Sequence, residues 1–336
     1  MKNIKIDIVY LWVDNTDKKW RAQKDEWLEK IKGKQHICNT AKTDARWRDN
    51  GEFLHSLRSV EKFAPWVNHI YIITGFNQVP KWLNTNHPKI TIVPHEKIFP
   101  SGALPTFNSN SIEMCIPNID GLSEHFLLMN DDMFFNKKLK PSYFFDKHGR
   151  ARIRFSNHSK YNTDIKHWMS QVDEYTQTLI LSAQAIGNIF NKSVYKYRPS
   201  HGIDPYIKSS WIECRNHPSI SSKIDAQIHN KFRTGNEFQR WIFNLYDLVT
   251  GRAVFIHSRA PKHTRHKIIN FIYNTIFAIP IRKSPVACTD VTHARKVLLR
   301  APVFCINDAS DSTTAVLQNN AKFLEERFPE KSSFEK

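Results

Sequence analysis

The pattern of apolar and polar positions is clearest in the first 140 residues. Ile4–Val13 is β-rich and closes on nearly unbroken apolar residues, as a central parallel strand does. It stops at Asp14-Asn15-Thr16-Asp17, a polar turn able to cap a helix beginning near Lys18, whose apolar stripe is Trp20, Trp27, Leu28 and Ile31. Phe53, Leu54, Leu57, Val60 and Phe63 repeat at helical spacing until Pro65 ends the run. His69–Thr74, stopping at Gly75, and Lys89–Val93, stopping at Pro94-His95, predict two more strands. A fourth lies within Leu122–Phe135, where apolar Phe126–Met129 runs into Asn130, Asp131 and Asp132 and apolar Met133–Phe135 follows at once. That run is too short for a core helix and reads as a buried strand. Four strands separated by helices predict an α/β fold: a mostly parallel sheet, helices on both faces, right-handed crossovers.

Beyond Lys140 the rhythm changes. Tyr143-Phe144-Phe145 and Ala151–Phe155 read as strand or edge elements, and Ser156–Asp173 as a polar loop. Helices are predicted over Thr176–Phe190, from about Pro205 to Glu213, over Ile224–Phe232 and over Glu237–Leu248. The tail from Ser258 is basic and less regular, with Ser310–Thr314 read as a loop and Lys331–Lys336 as a fraying end. No internal repeat or low-complexity tract is visible.

The 336 residues, 40% hydrophobic and 12% aromatic, describe a globular chain with length for a substantial core. A net charge of +17 changes the picture by pointing to polyanionic partners: nucleic acid, anionic lipid or phosphorylated substrates. No nucleic-acid motif accompanies it, so nucleic acid is not expected. Five scattered cysteines without a Cys-x-x-Cys pair argue against a disulfide framework or zinc site, and for a reducing, cytoplasmic setting. No signal peptide is evident. Ile268–Ile281 is the most apolar stretch, too short to span a bilayer, and its flanks Arg265, His266, Lys267, Arg282 and Lys283 suit a helix lying on an anionic membrane face. A core helix with charged ends is the competing reading.

Candidate chemistry follows from the strand ends. Adjacent carboxylates at the end of a buried strand are costly unless a cation, donor or substrate accepts them, which singles out Asp131 and Asp132. Asp14, Gly75 and His95 also sit just past strand ends, hence on one rim of one sheet, where α/β folds bind ligands. Arg46-Trp47-Arg48-Asp49-Asn50-Gly51-Glu52 precedes a helix. There the arginines either meet a phosphate or pair with Asp49 and Glu52. Asn108 and Asn110 are apt partners for sugar hydroxyls, His201 stands between Pro199 and Gly202 where a side chain is readily presented, and Arg233 can serve a phosphate. Carboxylates and arginines on one rim suit a metal-bound diphosphate.

Several of these stretches resemble the Stealth family: Ile6–Asp14, Arg46–Glu52, Leu57–Trp66, Val79-Pro80-Lys81-Trp82-Leu83, Leu104–Asn110 and Asn130-Asp131-Asp132, with looser likeness around His201 and from Lys231-Phe232-Arg233 to Val254. The family's first block usually reads Trp-Val-Asp-Gly; Asn15 here tolerates the same backbone. The resemblance implies a glycosyltransferase-A-like sheet that binds a UDP-sugar, and an acceptor hydroxyl that attacks the phosphorus next to the sugar, releasing UMP. A glycan or lipid-linked oligosaccharide would accept the hexose-1-phosphate. The resemblance places Asp132, His201 and Arg233 at catalytic positions, with either Asp132 or His201 as base. It places Asp14, Arg46, Arg48, Asp49, Asn50, Arg58, Asn108, Asn110 and Asn130 at the donor, and Mg²⁺ (or Mn²⁺) at Asp131 and Asp132. The catalytic domain is expected over 1–255, with a nucleotide-sugar core at 1–140 and a helical part at 141–255 completing the site. Residues 256–336 are left as a basic segment for a membrane surface or a partner. A conventional glycosyltransferase attacking carbon and releasing UDP is the alternative.

Overall fold

A computed structural model of the protein describes residues 4–34, 36–38, 41, 43–157, 169–194, 197–257 and 285–336. Its central strands are β1 (Ile6–Leu11), β2 (Ile70–Thr74), β3 (Ile90–Pro94), β4 (His125–Asn130) and, later in the chain, β8 (Asp204–Ile207). They form one sheet in the order β3-β2-β1-β4-β8. The first four are parallel, with Leu11 beside Ile73 and Asn130, and β8 runs antiparallel along β4. The carboxyl ends of β1 to β4 therefore share one rim, as the sequence pattern predicts.

The described helices of more than one turn are α1 (Lys18–Ile31), α2 (Glu52–Phe63), α3 (His95–Ile98), α4 (Ser109–Met114), α5 (Glu174–Phe190), α6 (Lys208–Arg215), α7 (Ser221–Ile228), α8 (Trp241–Val249), α9 (Val291–Leu298) and α10 (Thr314–Arg327). Both faces of the sheet are covered. Tyr10 sets its ring edge-on to Phe53 of α2 and bonds the Ser56 hydroxyl at 2.8 Å. Phe126 lies opposite Asp7, hence on the other face. There it meets Trp211 of α6, which stacks in turn on Phe243 of α8.

Two smaller sheets frame the rim. β6 (Ala151–Asn157) pairs with β7 (Tyr197–Pro199) and β9 (Ala253–His257), and β7 leads directly towards His201. The other sheet joins distant parts of the chain. β5 (Met133–Phe135), which follows Asp132 at once, pairs antiparallel with β11 (Val303–Ile306), and β11 pairs with β10 (Val286–Cys288). Phe134 stacks on Phe304 and Phe328, so this C-terminal unit has its own small core.

Several expectations need correction. The helix expected from Pro205 begins at Lys208, because Asp204–Ile207 is claimed by β4; Pro205 is tolerated since β8 lies at the sheet's edge. The helix expected over Ile224–Phe232 ends at Ile228, because the carbonyls of Lys231 and Phe232 accept hydrogen bonds from Phe107 N and Asn108 Nδ2. The helix expected from Glu237 starts at Trp241, the Glu237 carboxylate being turned back onto Thr234 N at 2.6 Å. Tyr143 ends a single helical turn, Pro141–Tyr143, and is not in a strand. The described part of the tail, residues 285–336, is regular and its end is not frayed: it builds β10, α9, β11 and α10, and Phe334 is buried against the core with Trp82 and Leu83, where Lys336 N bonds the Trp82 carbonyl. Ile268–Ile281 lies outside the described residues. Among the described residues no helix is long and apolar enough to cross a membrane.

Candidate active site

A cleft of about 770 Å³ opens at the carboxyl rim of the sheet. Its floor is what the strand ends present: Trp12 and Val13 after β1, Gly75 after β2, His95 after β3, and Asn130, Asp131 and Asp132 after β4. At Gly75 a side chain has no room, since a Cβ would sit 2.9 Å from His95 Nδ1. Burial holds the His95 imidazole at about 4, so it is neutral in ordinary buffer.

One group of its lining side chains is acidic. Burial raises the pKa of Asp131, and the neighbouring charges of Asp132, Asp49 and Glu52 raise it further. Asp132 is raised by burial too, while His201 and a hydrogen bond from Cys305 pull the other way. Its Oδ1 is shielded from solvent and has no hydrogen-bond partner. The turn carrying both carboxylates is held by β11, whose Ile306 N donates to the Asp132 carbonyl at 3.0 Å.

A second group is cationic. Arg46, although exposed, is lowered by desolvation in the cleft and by the like charge of Arg233. Arg233 is lowered chiefly by burial, with Glu113 and Glu237 opposing; it bonds the Ser109 hydroxyl, and its Nε is shielded without a partner. Two guanidinium groups that line one cleft could together take an anion. His201 opens onto the same cleft, lowered by burial and raised by Asp132 and by a hydrogen bond to Asn307. Gly202 after it is required by a close approach: a Cβ there would lie 2.7 Å from Pro285 Cβ.

The structure thus brings Arg46, Arg48, Asn110, Asn130, Asp131, Asp132, His201 and Arg233 to one cleft. The other expected donor residues turn elsewhere. Asp14 folds onto its own turn, accepting from Thr16 N and Oγ1 at 2.8 and 2.6 Å. Asp49 caps the entry to α2 through Gly51 N and takes the Trp12 indole N–H at 2.8 Å. Asn50 bonds Glu52, and fully buried Asn108 caps α4 through Asn110 N while donating to the Phe232 carbonyl. Arg58 is on α2 and pairs with Glu335. Local turns, capping and ion pairing engage these five, and none of them lines the cleft.

Residues that sequence reasoning missed complete the lining: Glu113, Tyr175, Arg198, Asp204 and Arg240, and from the tail Asn307 and Asp308. Arg48 Nε meets Asp308 Oδ2 at 2.7 Å, joining the two ends of the chain across the mouth. Nothing in the local sequence around Asp308 signals this, because it is placed by the pairing of β11 with β5. Arg240 reads in sequence as one charge of a helix, yet it is buried.

Fold and cleft together describe an α/β protein with acidic and cationic groups on the carboxyl rim of its sheet. Residues 5–32 match Stealth protein CR1, conserved region 1, and residues 46–153 match Stealth protein CR2, conserved region 2. The capsular polysaccharide phosphotransferase fcs1 of Haemophilus influenzae is 42% identical over 323 residues, 94% of this chain and 82% of that one. A capsular polysaccharide phosphotransferase WcwK of Streptococcus pneumoniae is 32% identical over the whole of both chains, and the exopolysaccharide phosphotransferase cps2G of Lactiplantibacillus plantarum 30% identical over 98% of this chain and 96% of that one. The chain belongs to the Stealth family. His201 and Arg233 lie beyond both matched regions. A distant backbone likeness joins it to the galactosyltransferase LgtC, solved with donor and acceptor sugar analogues (TM-score 0.46, 11% identity, 97% of this chain and 96% of that one).

Proposed function

We propose that the protein is a sugar-1-phosphate transferase, moving a hexose-1-phosphate or N-acetylhexosamine-1-phosphate from a UDP-sugar to a hydroxyl of a growing capsular or cell-surface glycan. The observation that carries the reading is one cleft lined by Arg46 and Arg233 and by Asp131, Asp132 and His201. The names of its relatives, capsular and exopolysaccharide phosphotransferases, support it.

In this reading the diphosphate lies between the two groups. Arg46 and Arg233 meet its non-bridging oxygens, where charge builds as phosphorus is attacked. The acceptor hydroxyl is held near His201, whose imidazole pKa is lowered by desolvation in the cleft and which takes the proton. A new O–P bond forms to the phosphorus bearing the sugar, and the P–O bond to the second phosphate breaks. The electron pair leaves on the phosphate of UMP. Asp132, beside His201, stabilises the imidazolium that results.

Asp131 and Asp132 fit a divalent cation. They are adjacent, half-buried, crowded by further carboxylates, and one carboxylate oxygen of Asp132 is unpartnered. Among the described residues no group of three or more His, Cys, Asp and Glu side chains is placed to hold a metal ion. Two carboxylates with water and substrate phosphates for the remaining positions is the Mg²⁺ habit. Such an ion would screen the diphosphate charge.

The test is the leaving group. Incubation with a UDP-sugar and an acceptor glycan is expected to release UMP and leave phosphorus in the glycan. Release of UDP with no phosphorus incorporated would overturn the reading in favour of attack at carbon.

A further inference from the structure

In the wall of the cleft, and not used in the chemistry above, lies a buried charge cluster drawn from four elements. Arg240, immediately before α8, donates through Nη1 to Glu113 Oε1 of α4 at 2.8 Å and to Asn130 Oδ1 at the end of β4 at 3.0 Å. Its Nε is 3.9 Å from Asp204 Oδ2 of β8. The side chains of Arg240 and Glu113 are only 8% and 5% exposed. A buried ion pair is weak evidence for stability, because desolvation consumes most of the attraction. The cluster must be explained by what it holds.

It holds Asn130, the residue directly before Asp131-Asp132. The far side of that turn is tied by Ile306 N to the Asp132 carbonyl at 3.0 Å. The two carboxylates are therefore fixed from both ends: by β11 after them and by Arg240 before them. Arg240 also lies close enough to Asp132, His201 and Arg233 for its charge to act on all three. Glu113 and Asp204 neutralise that charge, so Arg240 can be buried without placing a naked cation beside the phosphate-binding arginines.

We propose that Arg240 is a positioning residue for phosphoryl transfer: held by Glu113, it grips Asn130 and so fixes the Asp131-Asp132 turn against His201 and Arg233. This rests on the reading of the cleft given above. It reaches beyond that reading in assigning a role to a buried arginine that need not touch the donor.

The experiment is a double-mutant cycle on turnover, counting whichever nucleotide is released, so that the identity of the leaving group and the role of Arg240 are judged separately. Arg240→Met alone strands the Glu113 carboxylate and is expected to destabilise the protein. Arg240→Met with Glu113→Gln removes both charges and is expected to fold. In that variant kcat falls about 100-fold, the scale of an ångström-sized misplacement, with donor KM within about threefold of wild type. Asn130→Ala gives a similar fall, and combining it with the double variant adds little, because the two act through one contact. A kcat within about threefold of wild type overturns the proposal. So do effects that multiply with Asn130→Ala, or a loss confined to KM. A neutral double variant that still does not fold would make Arg240 a scaffold residue and overturn it as well. Release of UDP in place of UMP would sink the reaction assignment and leave these outcomes readable.

Discussion

Arg58 and Glu335 meet as a two-point ion pair, Nε to Oε1 at 2.9 Å and Nη2 to Oε2 at 2.8 Å, with side chains only 13% and 6% exposed. Arg58 Nη1 adds the Phe328 carbonyl at 2.9 Å. The pair fastens α2 to the last residues of the chain, and through them α10 and the β5–β11 sheet. Glu335→Ala leaves a buried guanidinium without its partner and is expected to cost about 3 kcal/mol. Arg58→Met with Glu335→Gln should cost less, because neither charge is then stranded. Urea unfolding of the three proteins checks the order; equal losses would mean that the pairing is not what holds the tail. Donor KM for Glu335→Gln is expected to match wild type.

At the centre of the cleft, Asp132→Asn, His201→Ala and Arg233→Ala are each expected to lower kcat by about 10² to 10⁴, the range for losing a proton acceptor or a transition-state donor. Each variant is expected to keep its fold: His201 is exposed, Asp132 and Arg233 are half-buried, and the side-chain bonds lost are those of Cys305 to Asp132, of His201 to Asn307 and of Arg233 to Ser109. Rates are measured on protein with an unchanged far-ultraviolet spectrum. A variant within about threefold of wild type removes that residue from the chemistry.

How much of this was legible in the chain differs from part to part, for physical reasons. The rim was legible because four apolar runs each stop at a polar or turn residue, and parallel strands put those stops on one side. Asp131 and Asp132 were legible for the same reason: carboxylates do not follow a buried strand without something to hold. Asp49 and Asn108 were expected at the donor, but a short polar side chain before a helix is as often its cap, and only coordinates separate the two. Arg240 and Glu113 were invisible, since one charge in a helical stretch ordinarily faces water. Asp308 could not be found at all: it reaches Arg48 across 260 residues through a strand pairing that no local pattern announces.

The carboxylates of the cleft should respond to divalent cations. With UDP present, Mg²⁺ or Mn²⁺ is expected to raise the melting temperature and a chelator to abolish turnover reversibly. A ligand at a hundredfold its dissociation constant adds about 2.7 kcal/mol to the folded state. Asp131→Asn is expected to lose that gain while melting at or above the wild-type temperature in chelator, because burial and three neighbouring carboxylates already disfavour its charge. A thermal shift unaffected by Asp131→Asn would place the ion elsewhere.

Away from the cleft, Asp247 of α8 sets a pH dependence of stability. Burial raises its pKa to about 7; the Ser210 hydroxyl, which donates to Oδ1, and Arg252 oppose the rise, while Glu124 and Glu213 add to it. The unfolded chain releases this proton near the ordinary carboxylate value, about 4. Between there and pH 7 the folded state binds more protons than the unfolded one, so stability falls as pH rises. Below that window the contribution is fully present, and above about pH 7 no more is lost. Asp247→Asn keeps an oxygen to accept from Ser210 and has no proton to lose. Its stability relative to wild type is therefore expected to climb from pH 4 to pH 7 and then level off. Guanidinium unfolding of both proteins across that range is the measurement, and a constant difference between them would show that Asp247 titrates alike in both states.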